Sequence, residues 1–266
     1  MPRAIWSGSV SFGLVNVPVK LVTATSSKDV RFHQLHASDG ARINQRRVCS
    51  ADGEEVEYGD IVKGYDLGGG NYVVVEPDEL ASIDPESSRT IDIEEFVDLD
   101  EIDPLYFDHS YYLLPDDRAA KPYALLVEAM ERTKKVALGR FVLRTKQYWA
   151  TLRAREGALV LATMLYEDEV VDPVDLEVPT TESVAPTEKE VKMATALVES
   201  LAGPFDPGKY HDDHRDKVMA LIEAKAEGQV IAAPVAAEAS APVVDLMAAL
   251  EASLAAARER QTSKSA

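Results

Sequence analysis

Apolar Val15, Val17, Val19 and Leu21 alternate with Asn16, Pro18 and Lys20. A period of two puts every second side chain on one face of an extended chain, so this stretch reads as a half-buried strand. Pro18 has no N–H to give a ladder, which predicts an edge or a bulge there. Further strands are read at residues 72–75, 90–97, 111–114, 139–146 and 158–166, with Gly68-Gly69-Gly70 as a flexible turn before the first of these. One helix interrupts them: over residues 122–132, Tyr123, Leu126, Val127 and Met130 fall on one face at helical spacing. Many strands with one crossover helix predict an α+β chain with a barrel-containing core rather than a doubly wound sheet.

From Pro186 the period changes to that of helices. Thr187 and Glu190 have capping-box spacing, and Val191, Ala194, Val198 and Leu201 then trace a stripe expected to be buried. A second helix is expected over about residues 212–227, with Val218, Leu221, Ile222 and Lys225 on one side and Gly228 as its stop. Residues 229–242 are rich in Ala and Pro and read as a linker. Amphipathic spacing returns over 245–257 through Leu246, Met247, Leu250 and Leu254, and a short tail carries Arg258, Arg260 and Lys264. The expected organisation is a core over 1–228, the linker, and a final helix with its tail over 243–266. So short a helix is marginal alone in water and needs a surface to dock on.

Composition narrows the class. The chain has 266 residues, 46% of them hydrophobic, and a single cysteine, Cys49. No run of 18 apolar residues and no basic-then-apolar leader occurs, so a cytoplasmic protein beside the chromosome is expected, in a reducing compartment. Charge is sorted along the sequence. Within the net −18, residues 1–50 carry +5, residues 51–117 carry −19, residues 118–155 carry +8 and residues 156–266 carry −12. Two basic blocks split by an acidic one can meet in a fold as a cationic face with an anionic back, or can remain two ordinary solvated faces.

Catalytic signatures are weak. His33, His36 and Cys49 lack a fourth metal ligand at a convincing spacing, and Asp212-Asp213-His214 sits where carboxylates complement a helix start. No P-loop, dinucleotide fingerprint or nucleophile elbow occurs, so no cofactor, metal or enzyme activity is expected. Nucleic-acid binding fits better. On an extended 139–146, Arg140, Arg144 and Lys146 share one face with Val142, while Phe141 and Leu143 anchor the other. Arg153 and Arg155 repeat the spacing, and Arg42, Arg46 and Arg47 form a further cluster. Such side chains suit phosphates, which give affinity without sequence information. A protein-only adaptor whose acidic segment binds a basic partner, and a hydrolase using carboxylates with His33, His36 or His214, are the competing classes.

A family resemblance adds to this. The stretch AIWSGSVSFGLVNVPVKL over residues 4–21 resembles the opening of the bacterial Ku family, and later pieces follow in the same order: RFHQLH from Arg31, the segment from Arg42 to Cys49, DIVKGY from Asp60, YYL from Tyr111, KPYALL from Lys121 and EVKMA from Glu190. The resemblance implies a non-enzymatic binder of double-stranded DNA ends in non-homologous end joining, with a β-barrel core carrying bridge and pillar segments and C-terminal helices. It further implies a homodimeric ring around duplex DNA and recruitment of a dedicated ATP-dependent ligase. On that basis residues 31–65 correspond to the bridge. Arg31, Arg42, Arg46, Arg47, Arg140, Arg144, Lys146, Arg153 and Arg155 become the DNA-facing candidates, and Leu246, Met247, Leu250 and Leu254 the partner-facing ones. Where some relatives have Cys-x-x-Cys, this chain reads Cys49-Ser50-Ala51-Asp52, which argues against a metal hook.

Overall fold

A computed structural model describes residues 3–83, 89–176, 178–179, 181–228 and 246–264. The chain divides into two units, one of Met1–Lys28 with Phe32–Val171, the other of Asp29–Arg31 with Asp172–Ala266. In the first unit, β1 (Trp6–Phe12) and β2 (Val15–Thr23) form a hairpin, followed by a two-stranded ribbon of β3 (Lys63–Asp66) and β4 (Tyr72–Val75) and a short helix, α1 (Pro77–Ile83). Then come β5 (Thr90–Asp98), β6 (Phe107–Pro115), α2 (Ala120–Thr133), β7 (Lys135–Leu143), β8 (Lys146–Arg155) and β9 (Ala158–Met164). Seven strands close a barrel in the order β1-β2-β6-β9-β8-β7-β5, with a parallel β5–β1 pairing at the seam. This is the α+β barrel that the alternation predicts.

The period-two rows set the barrel interior. Val10, Val17, Val19, Leu21, Ile91, Leu113, Phe141, Leu152, Leu159 and Leu161 are each at most 2% exposed. Pro18 is harmless because it lies one residue beyond the β2–β6 ladder, where its carbonyl accepts the Asp116 N–H at 3.0 Å. Two glycines let strands approach. A Cβ on Gly8 would run into the Arg89 carbonyl and the Trp6 indole, and one on Gly139 into the Asp92 carbonyl, beside the bulge that sets Glu94 out of register in β5.

Helix α2 covers the barrel with the predicted stripe of Tyr123, Leu126, Val127 and Met130, all buried. The Tyr123 hydroxyl donates to the Leu113 carbonyl (2.7 Å) and accepts from the Leu159 N–H (2.8 Å). It thus bridges opposed residues of β6 and β9. Tyr123→Phe leaves both backbone groups buried and unpaired, which costs about 1–3 kcal/mol for each. The expected result is a cooperative barrel with a lower melting temperature, checked by calorimetry; an unchanged midpoint would contradict the bridging role.

The strand read at 139–146 is in fact two. Arg144 adopts φ +62° in a tight turn that ends β7 at Leu143 and starts β8 at Lys146. The cationic row is therefore broken: Arg140 points outward from β7, Arg144 occupies the turn, and Lys146 opens the next strand. The next hairpin turns through Glu156 and Gly157, both at positive φ, the geometry that matches the twist of antiparallel strands.

Between β2 and β5 the chain forms an arm in which no described residue from 23 to 90 is buried. Phe32, Tyr58, Tyr65, Leu67 and Tyr72 are each more than 60% exposed.

The second unit contains α3 (Thr181–Val184), α4 (Glu188–Leu201), α5 (Asp213–Ala226) and α6 (Leu246–Lys264). Thr187 and Glu190 cap α4 reciprocally, and the hydrogen bond from the Thr187 hydroxyl holds the Glu190 carboxyl below its ordinary pKa. The expected stripe on α4 is not buried: Val191, Val198 and Leu201 are each about half exposed or more. They lack a core to enter, because no described residue of α4 or α5 is buried. Val191, Ala194 and Val198 instead line a groove with Leu250 of α6, which packs along α4. The linker expected at 229–242 lies outside the described residues.

Candidate nucleic-acid interface

Two matching turns place the arm arginines. In the first, the Gly40 N–H donates to the His36 carbonyl, the His36 N–H to Ala41 and the Ala41 N–H to the Asp39 carboxylate. In the second, Gly53 donates to Cys49, Cys49 to Glu54 and the Glu54 N–H to the Asp52 carboxylate. Gly40 and Gly53 sit at φ +70° and +78°, which only glycine adopts readily. The sequence shows no long repeat, but His36-Ala-Ser-Asp-Gly and Cys49-Ser-Ala-Asp-Gly are a short one. Isolated bridges Leu35–Arg42 and Val48–Glu55 flank the turns, so Arg42 follows the first directly and Arg46 and Arg47 precede the second.

These three arginines are exposed and only loosely held. Arg42 contacts His33 Nδ1 at 2.9 Å, Arg46 pairs with Glu55 at 3.0 Å, and Arg47 lies 5.2 Å from the centre of the Tyr58 ring. Surface pairs of this kind are worth about 1 kcal/mol or less, so a phosphate can displace them. Arg31 belongs to the second unit.

On the barrel, Arg153 and Arg155 of β8 share an outward face, as alternation requires. They line a cleft of about 360 Å³ with Lys134 and Lys135, two cations that the strand pattern alone does not single out. Lys134 caps α2 in the left-handed conformation (φ 56°) and Lys135 starts β7. A basic pair at a helix end is the signal that could have found them. Lys135 pairs with Asp98 at 2.8 Å and Arg155 with its neighbour Glu156 at 3.5 Å, while Arg153 forms no ion pair among the described residues. Arg144 forms none either, and Lys146 lies 3.9 Å from Glu169 and 5.2 Å from the Tyr148 ring centre.

Arg140 stands apart. Its Nε donates to Glu94 at 2.5 Å and its guanidinium lies 6.0 Å from the Trp149 ring centre, in a cleft rimmed by carboxylates. The bond to Glu94 favours the charged guanidinium. Contact with a phosphate from this position requires giving up Glu94.

Met247, Leu250 and Leu254 of α6 are half-buried, and the side chain of Leu246 lies outside the described residues. Among the described residues, no group of three or more His, Cys, Asp or Glu side chains is arranged to hold a metal ion, and no helix is long and apolar enough to cross a membrane.

Comparison with known proteins agrees with the barrel. Residues 11–193 match the family described as the Ku70/Ku80 beta-barrel domain. The chain is 54% identical over 261 residues to the non-homologous end joining protein Ku of Anaeromyxobacter sp. (strain K), covering 98% of this chain and 88% of that protein. It is 48% identical over 257 residues to a protein of the same name from Frankia casuarinae, covering 96% of this chain and 64% of that one. A third, from Mycobacterium tuberculosis (strain H37Rv), is 42% identical over 260 residues, covering 95% and 94%.

Proposed function

The chain belongs to the Ku family of non-homologous end joining proteins, and from that premise we propose that it binds double-stranded DNA ends as a ring-shaped homodimer, without reading sequence, and recruits an ATP-dependent DNA ligase. The protein acts as a binder and scaffold, not a catalyst.

The arm carries the proposal. It presents Arg42, Arg46 and Arg47 on hydrogen-bonded turns while leaving large apolar side chains uncovered. Apolar exposure on that scale marks a surface meant for burial, and a second copy of the chain covers it with matching chemistry. Cations on an arm and on the barrel wall then contact phosphates, with Arg144, Lys146, Arg153 and Arg155 joined by Lys134. A closed ring admits duplex DNA only where the duplex stops. Acidic surfaces elsewhere account for a net charge of −18 in a DNA-binding protein. Arg140 joins those cations only by giving up its pair with Glu94.

Sedimentation tests the dimer. A species of twice the chain mass of 29.1 kDa is expected at micromolar concentration. A monomer that still bound DNA ends would reject the ring.

Helix α6 is the proposed ligase-facing element, acting through Leu246, Met247, Leu250 and Leu254. Its contact with α4 supports a second reading, in which it braces its own chain. Truncation after Gly228 is expected to leave end binding within about twofold and to lower ligase stimulation. Full stimulation by the truncated chain, with a reduced melting temperature, would make α6 a brace instead.

A further inference from the structure

The outer barrel wall bears a second cleft, of about 620 Å³, that shares no lining residue with the basic one. Trp149 of β8 lines it with Tyr106 and Tyr166, and four carboxylates, Glu94, Glu101, Asp103 and Glu167, surround a single cation, Arg140. Among the described residues, only Glu94 of these carboxylates is in an ion pair; Glu101 accepts the Asp98 N–H and Asp103 the Leu105 N–H. The chain's own Arg140 shows what the walls recognise. Its guanidinium donates to a carboxylate and lies 6.0 Å from the centre of an indole ring. Three further carboxylates and two further phenol rings in the same cleft can do the same for a guanidinium brought from outside.

We propose that this cleft docks an arginine-bearing extended segment of a partner protein. The charge excess repels phosphate, so nucleic acid is the wrong ligand. Arginine fits better than lysine, because its planar group can stack on a ring while donating bidentately to a carboxylate. Of the cations in the proposed DNA interface, Arg140 alone lines this cleft, where Glu94 holds it, and the proposal does not depend on that reading.

The test is fluorescence anisotropy of a labelled short peptide of alternating arginine and glycine, titrated with the full-length chain, beside lysine and glutamate versions. The arginine peptide is expected to bind several-fold more tightly than the lysine peptide, and the glutamate peptide not at all. Tyr166→Ala and Glu167→Gln are each expected to weaken binding about fivefold, with melting temperature and DNA-end affinity unchanged. Glu223→Gln, on α5, removes one charge elsewhere and is expected to have no effect. Equal affinity for the arginine and lysine peptides would overturn the proposal. So would an unchanged dissociation constant in both cleft variants, which would mean general attraction to an acidic protein. Tighter peptide binding after deletion of residues 258–266 would assign the cleft to the chain's own basic tail and would equally overturn it.

Discussion

Gly139→Val is expected to lower the melting temperature by about 10 °C or to prevent accumulation of folded protein. A Cβ at this position meets a backbone carbonyl, that of Asp92, rather than the yielding end of a side chain. The obstruction lies where β5 bulges at Glu94 and presses its backbone over β7. Relief needs the two strands to separate, which breaks barrel closure rather than repacking one side chain. Overpacking typically costs about 1–3 kcal/mol and exceeds that when the backbone cannot move. At about 2–4 °C per kcal/mol for a domain of this size, a shift near 10 °C follows. Gly59→Ala is the control, since a Cβ there meets nothing within 4 Å, and it is expected to be neutral. Thermal denaturation of the two variants checks both; a stable Gly139→Val barrel would contradict the close approach.

Replacing Arg42, Arg46 and Arg47 together by alanine is expected to weaken binding to every linear duplex by about ten-thousandfold, at about 1 kcal/mol for each of the six charged side chains the proposed homodimer loses. The slope of log affinity against log salt should flatten by about 0.9 for each phosphate no longer neutralised, hence by about five for the two protomers together. The weakening must be uniform across sequences, because phosphates carry no base identity. Glu55→Gln frees Arg46 from its 3.0 Å pair and is expected to tighten binding slightly. Titrations at several salt concentrations separate these effects. A change in sequence preference with an unaltered slope would show that the arginines read bases.

Barrel and helices were legible where one periodicity dominated. The row Val17, Val19 and Leu21 alternates cleanly because one face enters the core, and Tyr123, Leu126, Val127 and Met130 keep helical spacing for the same reason. β8 was hidden, since its outward face holds Gln147, Trp149, Thr151 and Arg153, a mixture that masks alternation. The turn at Arg144 was hidden too, because a non-glycine residue adopts positive φ there without the usual turn residues. On α4 the apolar stripe was real but its burial was not, since spacing shows which face is apolar and not what covers it. Of the candidate site, the arm cluster was visible as local charge. Lys134 and Lys135 join Arg153 and Arg155 only through the pairing of β7 with β8, and Glu94 reaches Arg140 only through a bulge. Neighbours brought together by tertiary structure leave no local signature.

The most direct measurement is competition between a linear duplex and a covalently closed circle of the same sequence for the full-length protein, followed by linearisation of the circle with a nuclease. A ring loaded from the end predicts tight, salt-dependent binding to the linear form, little competition by the circle, and recovery of full competition once the circle is cut. Equal affinity for the closed circle would contradict end-dependent threading.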